Sequence, residues 1–151
     1  MTLRLVLDTN VWLDWLVFDD AEVAPLRAAI AAERAEILID AACENELALV
    51  LAYPLRKTVL THPEQAACMA ECRRVACMLE SVPPPARALP VCRDADDQKF
   101  LELALSARAD FLVTKDLMLL ELARRKVKRT PFKIVTPAQL SVALATAPTP
   151  S

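Results

Sequence analysis

The sequence contains no glycine, a single histidine, one tyrosine and two tryptophans. Without glycine there can be neither a Gly-rich phosphate cradle nor a dinucleotide-binding fingerprint, so both motifs are excluded. Turns must be built from Pro, Asp, Asn and Ser, and left-handed backbone positions are expected to be rare. With His62 as the only histidine, a Ser- or Cys-nucleophile triad is poorly supplied. Cys68 and Cys72 stand four apart on an expected helix, but a structural zinc site would need two further ligands that the chain hardly offers. No apolar run approaches the roughly 20 residues of a membrane span. The apolar stretch Leu3–Leu7 is too short for a signal peptide and is closed by Asp8, which predicts a cytoplasmic protein. Neither sign of charge dominates, since the formal net charge is −2.

What is present fits one domain. A chain of 151 residues falls close to the usual domain size, and burial of roughly 70% of its unfolded surface lets it fold without staples. The expected domain covers residues 1–146, with 147–151 as a disordered tail. The five cysteines (Cys43, Cys68, Cys72, Cys77 and Cys92) cannot all pair within one chain, and they read as reduced, mostly buried small hydrophobes. Trp12 and Trp15, three apart, read as core or dimer contacts rather than as a base-stacking platform.

Short apolar runs alternate with helical segments. Leu3–Leu7, Glu36–Ile39, Phe111–Thr114 and Phe132–Val135 read as strands. Asn10–Leu16, Glu22–Arg34, Ala41–Tyr53, Pro63–Leu79, Asp94–Ala107, Leu117–Arg125 and Pro137–Ala145 read as helices, with Asp40 suited to cap the third. Ser81–Pro90, with four prolines, is a stiff connector too short to divide domains. Strands separated by helices imply parallel crossovers, and hence a three-layer α/β/α arrangement around a central parallel sheet. In such sheets function gathers at the carboxyl ends of the strands, where Asp8 and Asp116 both stand.

Two further acids can join them: Glu46 on the helix after the second strand, and Asp97 in the first turn of another. Gathering carboxylates is costly because like charges disfavour ionisation. A hard divalent cation such as Mg²⁺ reverses that balance and can activate a water against a phosphodiester. Each acid taken alone has a structural explanation. Asp94 and Asp97 suit a helix N-terminus, Asp116 suits a cap, and Asp8 suits a turn. Glu46 is harder to dismiss, since the apolar Leu47, Leu49, Val50 and Leu51 follow it.

Five stretches are familiar as a set: Val6–Val11, Glu46–Pro54, Arg93–Ala104, Phe111–Asp116 and Ile134–Pro137. In this order and at this spacing, the chain resembles the PIN-domain family, specifically the bacterial branch of toxin components of toxin–antitoxin systems. The resemblance implies a Mg²⁺- or Mn²⁺-dependent ribonuclease, in a homodimer, held in check by a small antitoxin protein. It carries the metal ligands over to Asp8, Glu46, Asp97 and Asp116, with Asp94 as an extra acid and Asn10 and Thr114 as supporting polar groups. Asp40 stands where this branch often has Ser, and Lys115 where Gly is common.

The net charge of −2 does not advertise an RNA binder. Setting aside the four ligand acids turns it to +2, and Arg124, Arg125, Lys126, Lys128, Arg129 and Lys133 cluster just beyond Asp116. Lys115, Arg124, Arg125 and Lys128 are therefore candidate contacts to RNA phosphates. A receiver-like domain would want a second acid after Asp8, and haloacid-dehalogenase-like phosphatases want Asp-x-Asp, whereas positions 9 and 10 are Thr and Asn. The serious alternative is a catalytically silent PIN scaffold that binds RNA or a partner protein.

Overall fold

A computed structural model of the chain describes residues 2–80, 95–124 and 130–146. The Pro-rich connector, Asp94, Cys92, the basic stretch 125–129 and the tail from residue 147 lie outside the described residues.

The first strand, β1 (Leu3–Leu7), leads into α1 (Thr9–Leu16). A 3-10 turn at Ala21–Val23 and α2 (Ala24–Ala31) return the chain to β2 (Ala35–Ile39). Then follow α3 (Ala41–Leu51), α4 (His62–Val75) and β3 (Ala76–Met78). After a second 3-10 turn at Ala95–Asp97 come α5 (Gln98–Ser106), β4 (Phe111–Val113), α6 (Leu117–Leu122), β5 (Lys133–Val135) and α7 (Pro137–Thr146). The strands form one sheet in the order β3-β2-β1-β4-β5, with every pair parallel. Helices flank it in the expected three-layer α/β/α arrangement. Among the described residues, no helix is long and apolar enough to cross a membrane.

The sheet centre is uniformly apolar because parallel strands are covered on both faces. Leu5, Val6, Leu7, Ile37, Leu38, Ile39, Leu112 and Val113 are all buried there. Trp12 and Trp15 join this core, their ring centroids 6.2 Å apart, as the packing reading expected.

Two features depart from the expectations. The helix read as Pro63–Leu79 stops at Val75, and Ala76–Met78 pairs with β2 as a fifth strand, Leu38 opposite Cys77. The apolar run crosses that boundary with no stop signal, so only the pairing with β2 decides it. Left-handed backbone is not rare either: Asp19, Glu33, Arg56 and Arg108 all have positive φ. Glu33 ends the helix expected to reach Arg34, and Arg108 follows α5, so charged residues occupy helix C-termini where glycine is usual.

All four described cysteines are free thiols. Cys43 and Cys72 are buried, which pushes the Cys72 thiol up to about 12 and that of Cys43 well above the usual thiol range. Both therefore remain protonated and inert, as small buried hydrophobes would be, whereas Cys68 is half-buried and Cys77 exposed, so the cysteines are not mostly buried as expected.

Candidate active site at the sheet switch point

β1 neighbours β2 on one side and β4 on the other, so the chain reverses its direction of travel across the sheet between β1 and β4. At such a switch point the helices that follow the two strands diverge and leave a crevice at their carboxyl ends. The register pairs Leu7 with Val113, so Asp8 and Thr114 are the first residues past each strand. The Asp8 amide donates to the Val113 carbonyl (3.0 Å), and the Thr114 amide to the Val135 carbonyl (2.9 Å), which anchors both loops to the sheet.

Asp8 is buried and caps α1, its Oδ1 accepting from the Val11 amide at 2.9 Å. Its Oδ2 accepts from the hydroxyl of the fully buried Thr114. The same hydroxyl oxygen accepts from the Asp116 amide (2.9 Å), so Thr114 ties the two acids together. Asp116 is half-buried, and its Oδ1 accepts from the Met118 amide at 2.8 Å to cap α6. Burial lifts the Asp8 carboxyl to about 6. The hydrogen bonds from Thr114 and Val11 oppose that rise, the charge of Asp116 adds to it, and Lys115 lowers it slightly. A buried carboxylate whose ionisation a neighbouring acid further opposes is the arrangement that a cation would relieve.

Glu46 enters from α3 and is half-buried. Its Oε2 accepts from the Thr9 hydroxyl, one residue beyond Asp8, and its Oε1 receives the Lys99 ammonium at 2.5 Å. Lys99 lies on the first turn of α5, two residues after Asp97. Asp97 is half-buried, and its side chain does not cap α5, contrary to the capping explanation. Asp40 does cap α3, through a 2.9 Å bond from the Cys43 amide.

Thus Asp8, Thr114 and Asp116 form one hydrogen-bonded unit, while Glu46 meets it through Thr9 and reaches the Asp97 turn through Lys99. Asn10 is exposed and lines an adjoining cleft instead. Arg124 lies at the opposite end of α6 from Asp116, on the order of 10 Å along the axis. Asp94, Arg125 and Lys128 lie outside the described residues.

Two participants escaped the sequence reading. Lys99 looks like a solvated residue on an amphipathic helix, yet it balances Glu46. Asp14 sits in the apolar run of α1, is only 2% exposed, and pairs with Lys115 at 2.5 Å. The one sequence signal for either was a lysine placed two residues after one candidate ligand and another just before a second.

A model of the PIN domain matches residues 4–118. The chain belongs to the PIN-domain family. PIN domains are generally nucleases and usually use divalent metal ions. The chain is similar in fold to the crystal structure of PAE2754 from Pyrobaculum aerophilum, with a TM-score of 0.58 at 19% identity. That likeness covers 96% of this chain and 91% of the other. No curated protein matches the chain.

For this PIN domain, the fit to a divalent ion can be judged from the donors. All candidate ligands are carboxylate oxygens, which hard cations prefer. Asp8 and Asp116 fit directly, since their mutual repulsion is part of what raises the Asp8 carboxyl. Glu46 already has its charge met by Lys99. Among the described residues, no three His, Cys, Asp or Glu side chains are gathered closely enough to hold a metal ion. The donor chemistry therefore suits a hard divalent cation, and Thr114 links Asp8 to the backbone of Asp116.

Proposed function

We propose that this PIN domain is a metal-dependent endoribonuclease that hydrolyses RNA phosphodiester bonds. The observation that carries the reading is the Asp8–Thr114–Asp116 unit at the switch point, with Asp8 lifted to about 6. Asp8, Glu46, Asp97 and Asp116 would hold Mg²⁺ or Mn²⁺, with Asp94 as a candidate fifth acid. A bound divalent cation supplies charge neutralisation and an activated water.

The chain's own residues prepare that chemistry. Thr114 orients Asp8 by donating to one oxygen, and the Val11 amide fixes the other. Thr9 and Lys99 orient Glu46. Packing of β1 and β4 keeps bulk water from the inner side of Asp8, so its charge acts at full strength in the crevice. The protein acts in the cytoplasm as a homodimer restrained by a small antitoxin, in line with the resemblance of its motifs. Exposed Leu49, Tyr53, Val59 and Leu117 offer apolar area for such contacts.

A second reading, a silent scaffold that binds RNA or a partner protein, is favoured by one observation: Lys99 already neutralises Glu46. Cleavage of a labelled single-stranded RNA with Mg²⁺, Mn²⁺ or EDTA separates the two. The nuclease reading expects metal-dependent cutting that Asp8→Asn and Asp116→Asn each reduce at least a hundredfold. Cutting that survives both substitutions, or none by the folded wild type across varied RNAs, would count against it.

A further inference from the structure

An open cleft of about 370 Å³ adjoins the acidic crevice and shares two of its flanking residues, Asn10 and Lys115. Asp14, Phe18 and Arg56 line it as well. The Lys115 ammonium is pinned there by Asp14, a buried carboxylate whose charge it meets at 2.5 Å.

Arg56 is held differently. It sits in a tight turn in which the Leu55 and Thr58 backbones exchange two hydrogen bonds of 2.8 Å. Its φ is 54°, a left-handed conformation that disfavours any residue with a Cβ. The guanidinium lies over Phe18, its carbon 3.8 Å from the ring centroid. A guanidinium packed over a ring by its face can still offer its N–H edge to two oxygens of one phosphate. Arg56 is exposed and makes no ion pair with any described residue.

A guanidinium packed on a ring in an unfavourable backbone conformation, with no carboxylate partner among the described residues and beside the acidic crevice, is placed to meet an external anion. We infer that Arg56 and Lys115 form a phosphate subsite for a single RNA strand, gripping a phosphate next to the one cut. The inference rests on the ribonuclease reading and adds a second point of contact to it. Asn10, two residues after Asp8, lines the same cleft.

The test uses the full chain carrying Asp116→Asn, so that RNA survives for equilibrium binding. A 5′-labelled single-stranded RNA is titrated by fluorescence anisotropy over a range of KCl concentrations, with EDTA present. Arg56→Ala should weaken binding about tenfold and flatten the slope of log K against log salt by about 0.7, the value of one single-strand phosphate contact. Arg56→Lys should keep the slope while losing affinity, because the charge remains and the planar fork does not. Lys115→Gln alone would strand the buried Asp14 charge, so it is paired with Asp14→Asn; that exchange leaves the net charge unchanged, so the pair should weaken binding a few-fold with little change in slope. Salt-dependent binding whose slope none of these changes alters overturns the subsite and leaves the ribonuclease reading intact. An Asp116→Asn protein that is folded yet binds no RNA overturns both.

Discussion

Asp8 must satisfy conflicting demands. Its carboxylate is useful when ionised, yet burial places it where ionisation is costly. Its folded value of about 6 lies above the ordinary 3.8, so the native state holds the proton more tightly than the unfolded chain does. The resulting stability is fully present below pH 4 and is lost as pH rises through 6, amounting to about 3 kcal/mol at 1.36 kcal/mol per unit. Asp8→Asn removes the ionisation and preserves an oxygen for the Val11 amide. The variant should melt higher than wild type at pH 7.5 in EDTA, and the gain should shrink toward zero at pH 4. A variant that melts lower at both pH values would show that Asp8 is an ordinary helix cap. Asp8 and Asp116 were legible in the sequence because strand-end acids stand out after apolar runs, whereas Thr114 was singled out only through the family resemblance. Lys99 and Asp14 were not, since a lone charge on a helix reads as solvated until another element brings its partner.

Helices and strands were legible where local signals were strong, and misread where tertiary contacts decided. Asp40 caps α3 as its position suggested, and Thr61 with Glu64 forms a reciprocal capping box on α4. At the far end of α4 nothing local marks the change to β3; pairing with Ile37–Ile39 fixes it. The absence of glycine misled in the same way. It suggested few left-handed positions, whereas two helix C-termini adopt that conformation with Glu33 and Arg108. The Ala109 amide closes back on Ala104 (2.9 Å), so the C-terminal motif of α5 is intact and Arg108 bears the conformational penalty. Left-handed backbone costs a Cβ-bearing residue about 1–2 kcal/mol, and glycine returns part of that as unfolded-state entropy. Arg108→Gly should therefore stabilise the protein by about 0.5–1 kcal/mol in urea denaturation. A loss of similar size would mean that the Arg108 side chain contributes more than its backbone costs.

Across the whole molecule, sheet order places two of the acids at neighbouring strand ends. Because β1 lies between β2 and β4, Asp8 and Asp116, more than a hundred positions apart in sequence, become neighbours, while Glu46 on α3 and Asp97 just before α5 connect to them only through Thr9 and Lys99. The order of motifs along the chain predicted this parallel α/β plan. It did not reveal that Lys99 would balance Glu46 and Lys115 would balance Asp14, while the charge of Asp116 adds to the cost of ionising Asp8. We propose that Asp8, Glu46, Asp97 and Asp116 act together as one divalent-cation site. The most direct test is Mn²⁺ binding to the wild-type chain and to Asp8→Asn, Glu46→Gln, Asp97→Asn and Asp116→Asn, followed by calorimetry. Wild type should bind saturably, Asp8→Asn and Asp116→Asn should abolish binding, and the other two should weaken it at least tenfold. Equal Mn²⁺ binding by all five folded proteins would contradict the proposal.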